Sequence, residues 1–104
     1  MDNSFVKNRE LKISLSNSLK NLERTIERLS KDVSEEESTI TFNRKSLYED
    51  SLEKDPNEKY SKEDLDNIGE DIKCSLKHLE KMMEEMIELI NTHTVISDFL
   101  NNLD

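Results

Sequence analysis

Across residues 65–103 the apolar side chains recur at alternating steps of three and four, the spacing of a helix with a seven-residue repeat. Lettering that repeat a to g, with the buried seam at a and d, puts Leu65, Ile72, Leu79, Met86, His93 and Leu100 at a. Ile68, Ser75, Met82, Leu89, Ile96 and Leu103 then fall at d. The e positions beside the seam are also apolar at Leu76, Met83 and Ile90, so the stripe is wider than one partner helix covers. A helix of this kind packs against two neighbours.

The N-terminal part carries a second seam, with Leu19, Ile26 and Val33 at a and Leu15, Leu22 and Leu29 at d. Asn8 and Lys12 occupy the preceding seam positions, which predicts a frayed start and leaves Phe5, Val6, Leu11 and Ile13 to other contacts. Beyond residue 33 the a spacing continues at Ile40 and Leu47, but Glu36, Asn43 and Asp50 fall at d. The pattern therefore predicts helix 1 over 5–33 and an acidic connector over 34–61, holding either a short helix at 40–53 or a disordered excursion. Thr39, Ile40, Thr41 and Phe42 alternate like a strand, yet nothing else in the chain could pair with one. Pro56 stops any helix in the connector, because it has no N–H and disfavours helix in the residue before it.

Ser61 reads as the N-cap of helix 2, with Asp64 in the reciprocal capping position, Glu63 near the positive end of the helix dipole, and Tyr60 and Leu65 as a hydrophobic staple. Helix 2 is expected over 62–91. Gly69 lies inside it, tolerated or marking a close contact. Asn91, Thr92, His93 and Thr94 are poor helix formers. They predict a kink or an end there, with 94–103 as a short helix or a continuation carrying Ile96, Phe99, Leu100 and Leu103 as an apolar tip. The fold class that follows is all-α: an elongated antiparallel helical hairpin or coiled coil in one domain over 1–104. Helix 1 pairs with helix 2, and oligomerisation or a partner completes the bundle. A parallel homodimer through either seam fits the same heptads.

Composition sharpens this picture. Of 104 residues, 33% are hydrophobic and 38% charged, with one Gly, one Pro, and no Ala or Trp. A core must come from Leu, Ile, Val and Met, and the low apolar fraction leaves a thin margin over conformational entropy. Net charge is -9, unevenly spread. Residues 1–33 hold seven Lys/Arg against five Asp/Glu, residues 34–71 five against thirteen, and residues 72–104 three against six. So acidic a surface repels nucleic-acid phosphate and anionic membrane alike. No apolar run is long enough to span a bilayer, and the N-terminus lacks the basic and apolar regions of a cleaved secretion signal. The lone Cys74 excludes an internal disulfide framework and points to a reducing intracellular compartment, cytoplasmic or nuclear.

Candidate chemistry is sparse. Glu70, Cys74 and His78 follow one another at i, i+4 steps, but a structural zinc site takes four ligands, usually with more than one thiolate. Cys74 reads better as a small residue at the interface margin, and no metal or cofactor is expected. His93 in the seam could titrate, or could simply be a half-exposed polar residue at a break. Met82, Met83 and Met86 could form an adaptable binding face or ordinary core filling. Carboxylate pairs such as Glu84 and Glu85, or Asp64 and Asp66, lack opposing residues for a catalytic cleft, and no phosphate loop or catalytic triad spacing occurs. Ser34 and Ser61, each followed by acidic residues, suit helix capping and an acid-directed kinase equally.

The expected function is therefore non-catalytic: a coiled-coil protein–protein interaction subunit, scaffold or adaptor, with no small-molecule substrate. Its partners are helical proteins or a second copy of the chain. The interface positions are Leu15, Leu19, Leu22, Ile26, Leu29 and Val33 on the first seam. On the second they are Leu65, Ile68, Ile72, Leu76, Leu79, Met82, Met83, Met86, Leu89, Ile90, Ile96, Phe99 and Leu100. The alternative is a small acidic regulator, an inhibitor or secretion chaperone, that offers residues 34–71 to a basic or helical groove.

Overall fold

The computed structural model describes the backbone of residues 3–103 and the side chains of residues 6–103. The protein is an all-α antiparallel helical hairpin, made of α1 (Asn3–Leu52) and α2 (Lys62–Asn101). Helix 1 does not end at residue 33. It runs on through the region that the polar d positions marked as a connector, and the linker shrinks to residues 53–61. Hydroxyl side chains explain why the helix survives there. Ser38 Oγ donates to the Ser34 carbonyl at 3.0 Å, Thr39 Oγ1 to Glu35 at 3.2 Å and Ser46 Oγ to Phe42 at 3.1 Å. Each hydroxyl is satisfied within its own helix, one turn back, rather than competing for a turn conformation. Ser34 consequently sits inside α1 and starts no helix.

The Asn91 to Thr94 stretch survives in the same way. Thr92 Oγ1 donates to the Glu88 carbonyl and Thr94 Oγ1 to that of Ile90, both at 3.0 Å, so Thr94 caps nothing and α2 continues to Asn101. Ile96, Leu100 and Leu103 are half-buried along the same seam as the rest of α2, not a separate tip. At the other end, α1 begins at Asn3, and Asn8 and Lys12 stay half-buried on its seam where fraying was expected. The expected contacts of Phe5 lie outside the described side chains, while Val6, Leu11 and Ile13 are exposed.

The linker is stitched to the helix ends. Glu58 N–H donates to the Asp55 carbonyl at 3.0 Å across a turn with Pro56 at its second position, and Asn57 N–H donates to Asp55 Oδ1 at 2.9 Å. Tyr60 N–H donates to Asp50 Oδ1 at 2.6 Å, tying the linker back to α1. Ser61 caps α2 as its sequence suggests: its Oγ accepts the Asp64 N–H at 3.1 Å.

The chain divides into two compact units. Unit 2, Lys31–Met83, holds the end of α1, the linker and the start of α2. Its two helical segments run antiparallel, since Asp50 meets Tyr60 while Glu36 meets His78. Unit 1 comprises Met1–Ser30 and Glu84–Asp104, and here Glu23 meets His93. The pairing of 5–33 with 62–91 expected from sequence is thus only partly kept: 84–91 falls with the N-terminal part of α1 in unit 1, but 62–83 folds against 31–52, because so short a linker returns the chain onto the residues just before it. Among the described residues, Ile40 and Met82, both in unit 2, are the buried hydrophobic side chains, at 8% and 6% exposure.

Candidate interaction surface

The seven-residue lettering organises the surface. Every a and d position of α2 within 65–103 is buried or half-buried, and of the remaining positions in that span only Ser97 is not exposed. On α1 every a and d position from 8 to 50 is likewise buried or half-buried. Leu15, Leu19, Leu22, Ile26, Leu29 and Val33 are half-buried, as are Leu65, Ile68, Ile72, Leu79, Met86, Leu89, Ile96 and Leu100. Leu76, Met83, Ile90 and Phe99 remain exposed after the helices have paired. Glu36, Asn43 and Asp50, discounted on sequence because they are polar, occupy the seam nonetheless.

In each unit the two edges of the helix pair differ in chemistry. In unit 2 the e edge of α2 presents Leu76 and Met83, 50% and 48% exposed. The opposite edge is polar: an open groove of about 310 Å³ there is lined by Asp32, Glu35, Glu36, Thr39, His78 and Met82. In unit 1 the e edge holds a groove of about 430 Å³ in which Ile26 and Ile90 lie among Glu23, Glu27, Ser30 and His93. Its opposite edge offers Ser18, Asn21, Thr25 and Thr92 around Leu22 and Ile96. In unit 2 the exposed apolar side chains of the seam's flank thus lie on the e edge and the carboxylates on the opposite one, whereas in unit 1 both edges mix apolar and polar groups. Ile87 and Val95 add exposure at b and c, which seam-based reading does not reach.

Both histidines are engaged by glutamates of the facing helix. His93 Nε2 lies 3.1 Å from Glu23 Oε1, and His78 Nδ1 lies 3.4 Å from Glu36 Oε2. His93 therefore sits half-buried on an intact helix rather than at a break. His78 is turned to α1, while Cys74 is exposed and free. Among the described residues no three His, Cys, Asp or Glu side chains are grouped as a metal would need, and no helix is long and apolar enough to cross a membrane.

Near the linker the Glu53 carboxylate accepts the N–H groups of Lys54 at 3.0 Å and Asp55 at 3.1 Å. Its pKa is held below the ordinary glutamate value, chiefly by the Asp55 N–H and next by a hydrogen bond with the Glu58 side chain. This is a carboxylate locking a turn. Glu84, Glu85, Asp64 and Asp66 are all exposed. Compared with protein-family models, curated proteins and solved structures, the chain matches none.

Proposed function

We propose that this protein is a non-catalytic helical interaction subunit, acting as a scaffold or adaptor through the apolar e edge of the helix pair in unit 2. The observation that supports this is the half exposure of Leu76 and Met83 in unit 2 after its seam has been used. With Ile40 and Met82 its buried hydrophobic side chains among the described residues, unit 2 holds little of its hydrophobic surface away from water, and a further helix laid along that edge would bury more. The surface offers shape and apolar contact to a partner helix.

A second reading rests on charge. Residues 34–71 carry thirteen carboxylates against five Lys/Arg, and the acidic grooves of unit 2 would suit a basic segment of a target protein. One experiment separates the two. The full chain is used to capture partners at low and high salt, beside a variant with Leu76→Glu and Met83→Glu. Retention at high salt with loss in the variant fits the apolar edge. Loss of every partner at high salt, with the variant binding normally, fits the acidic regulator and rejects the first reading.

A further inference from the structure

Histidine supplies the links between the two helices that can carry opposite charges. Among the described residues, each contact at ion-pair distance that joins α1 to α2 has an imidazole on one side: His93 with Glu23 in unit 1, and His78 with Glu36 in unit 2. The remaining ion pair, Lys45 with Glu49, lies within α1. Lysine and arginine keep their charge at every pH near neutrality, whereas an ordinary imidazole gains or loses it at ~6.5. The links across the hairpin are thus the ones a proton changes.

The groups around each ring set the sign and the size of that change. His93 is 30% exposed and lies in the groove that Glu23 and Glu27 of α1 line with Ile26, Ser30 and Ile90. Lys20 and Arg24 of α1 are exposed and do not line it. On its own helix His93 has no charged residue within four positions, and α2 contains no Lys or Arg from Glu84 to Leu103. A proton on His93 therefore creates the one cation of that part of α2 among the described residues, facing two carboxylates. His78 faces three, Asp32, Glu35 and Glu36, in the groove that Thr39 and Met82 complete. Its own helix places Lys77 beside it and Cys74 and Lys81 one turn to either side, and the ring is 61% exposed. Two lysines and more water weaken the second contact, so His93 dominates.

A carboxylate only accepts hydrogen bonds, so the imidazole must donate. Neutral histidine carries one ring hydrogen and offers it to the glutamate in one of its two tautomers; the imidazolium donates from either nitrogen and adds charge, which strengthens the bond. We infer that these contacts form a proton-operated latch on the helix pair, holding each unit more tightly as pH falls from about 7.5 to about 5.5. The unfolded chain fixes no carboxylate against either ring, so protonation favours the folded hairpin. The added stability is complete where both rings are charged, is lost as they deprotonate, and fails below ~4.3, where glutamates themselves take up protons. The latch does not depend on what the hairpin binds.

Urea unfolding of the full chain, followed by far-UV circular dichroism at fixed ionic strength and protein concentration, tests this at about pH 7.5 and about pH 5.5. The wild-type unfolding constant is expected to be smaller at the lower pH by about tenfold, about fivefold of it from His93 and about twofold from His78. Gln keeps a side-chain N–H donor but takes no proton. His93→Gln should remove the larger share of the difference, and His93→Gln with His78→Gln nearly all of it. Glu23→Gln leaves both rings in place and should shrink the difference to about threefold, whereas Glu84→Gln, the same loss of charge at an exposed position outside the groove, should leave it whole. Each comparison is between two pH values of one variant, so a uniform loss of stability cancels. A wild type no more stable at the lower pH overturns the inference. So does a difference that survives in the double histidine variant, or one cut equally by Glu23→Gln and Glu84→Gln.

Discussion

Met82 and Met83 are neighbours in sequence and opposites in structure, which makes them a direct probe of the seam. Met82, at d, is 6% exposed, and Met83, at e, is 48% exposed. Truncating Met82 to Ala removes a buried thioether, a transfer cost of ~1.5–3 kcal/mol, and leaves a cavity whose cost brings large-to-small core changes to ~2–5 kcal/mol. A two-helix layer can partly close around the gap, so the low end, ~2–3 kcal/mol, is expected. Met83→Ala forfeits roughly half the transfer term and creates no cavity, giving ~0.8–1.5 kcal/mol. Urea unfolding followed by far-UV circular dichroism, at one protein concentration throughout, measures both. Partner capture should respond in the reverse order, with Met83→Glu binding less than Met82→Ala at temperatures where both are folded. Losses equal within about 0.5 kcal/mol, or larger for Met83, would refute the assignment of d to the core and e to the surface.

Three further outcomes follow from particular side chains. Gly69→Ala should stabilise the protein by ~1 kcal/mol in the same unfolding assay, because a Cβ at Gly69 meets nothing within 4 Å and the helix gains in propensity; destabilisation would mean a close neighbour is present. Glu53 has a lowered pKa, so its turn-locking contribution is complete above the unfolded value of ~4.3 and is lost as pH falls through the lower folded value. Protection of the Asp55 amide against hydrogen exchange, taken relative to its intrinsic rate at each pH, should fall through that acidic window, and Glu53→Gln should flatten the profile; an unchanged profile would reject the role. Glu36→Leu should raise stability by ~1–2 kcal/mol by placing an apolar side chain at a half-buried d position, and a loss in urea midpoint would show that the His78 contact outweighs the burial.

The legible part of this fold was the part with one governing signal. Along α2 the heptad spacing alone picks out all twelve seam residues, including Ser75 and His93, because burial in a helix pair follows angular position more closely than residue type. The same rule was available for α1 and was overridden there by polarity at Glu36, Asn43 and Asp50. Those residues tolerate the seam because the layer is only two helices thick and their ends reach water or a partner. Glu36 reaches His78, and Asp50 accepts the Tyr60 N–H. Propensity misled at Asn91 to Thr94, where the hydroxyls of residues read as poor helix formers bond one turn back instead. The exposed e residues were legible from width of stripe. Ile87 and Val95 were not, since they follow no repeat shared with the seam.

The polar d residues also bear on a choice that hydrophobic spacing leaves open, between an intrachain hairpin and a parallel pair of α1 helices from two copies. In a parallel, in-register pair each d residue faces its own copy. Glu36 would then meet Glu36 and Asp50 would meet Asp50, with like carboxylates confronted in a partly desolvated seam. The antiparallel hairpin gives each a different neighbour: His78 for Glu36, and the Tyr60 N–H for Asp50. Leu or Ile at these positions would make both arrangements more stable and the hairpin less distinct from its competitor, as polar residues at coiled-coil seams do elsewhere. The stability these positions give up in unit 2 thus favours one direction of pairing, with the e edge left over as contact surface.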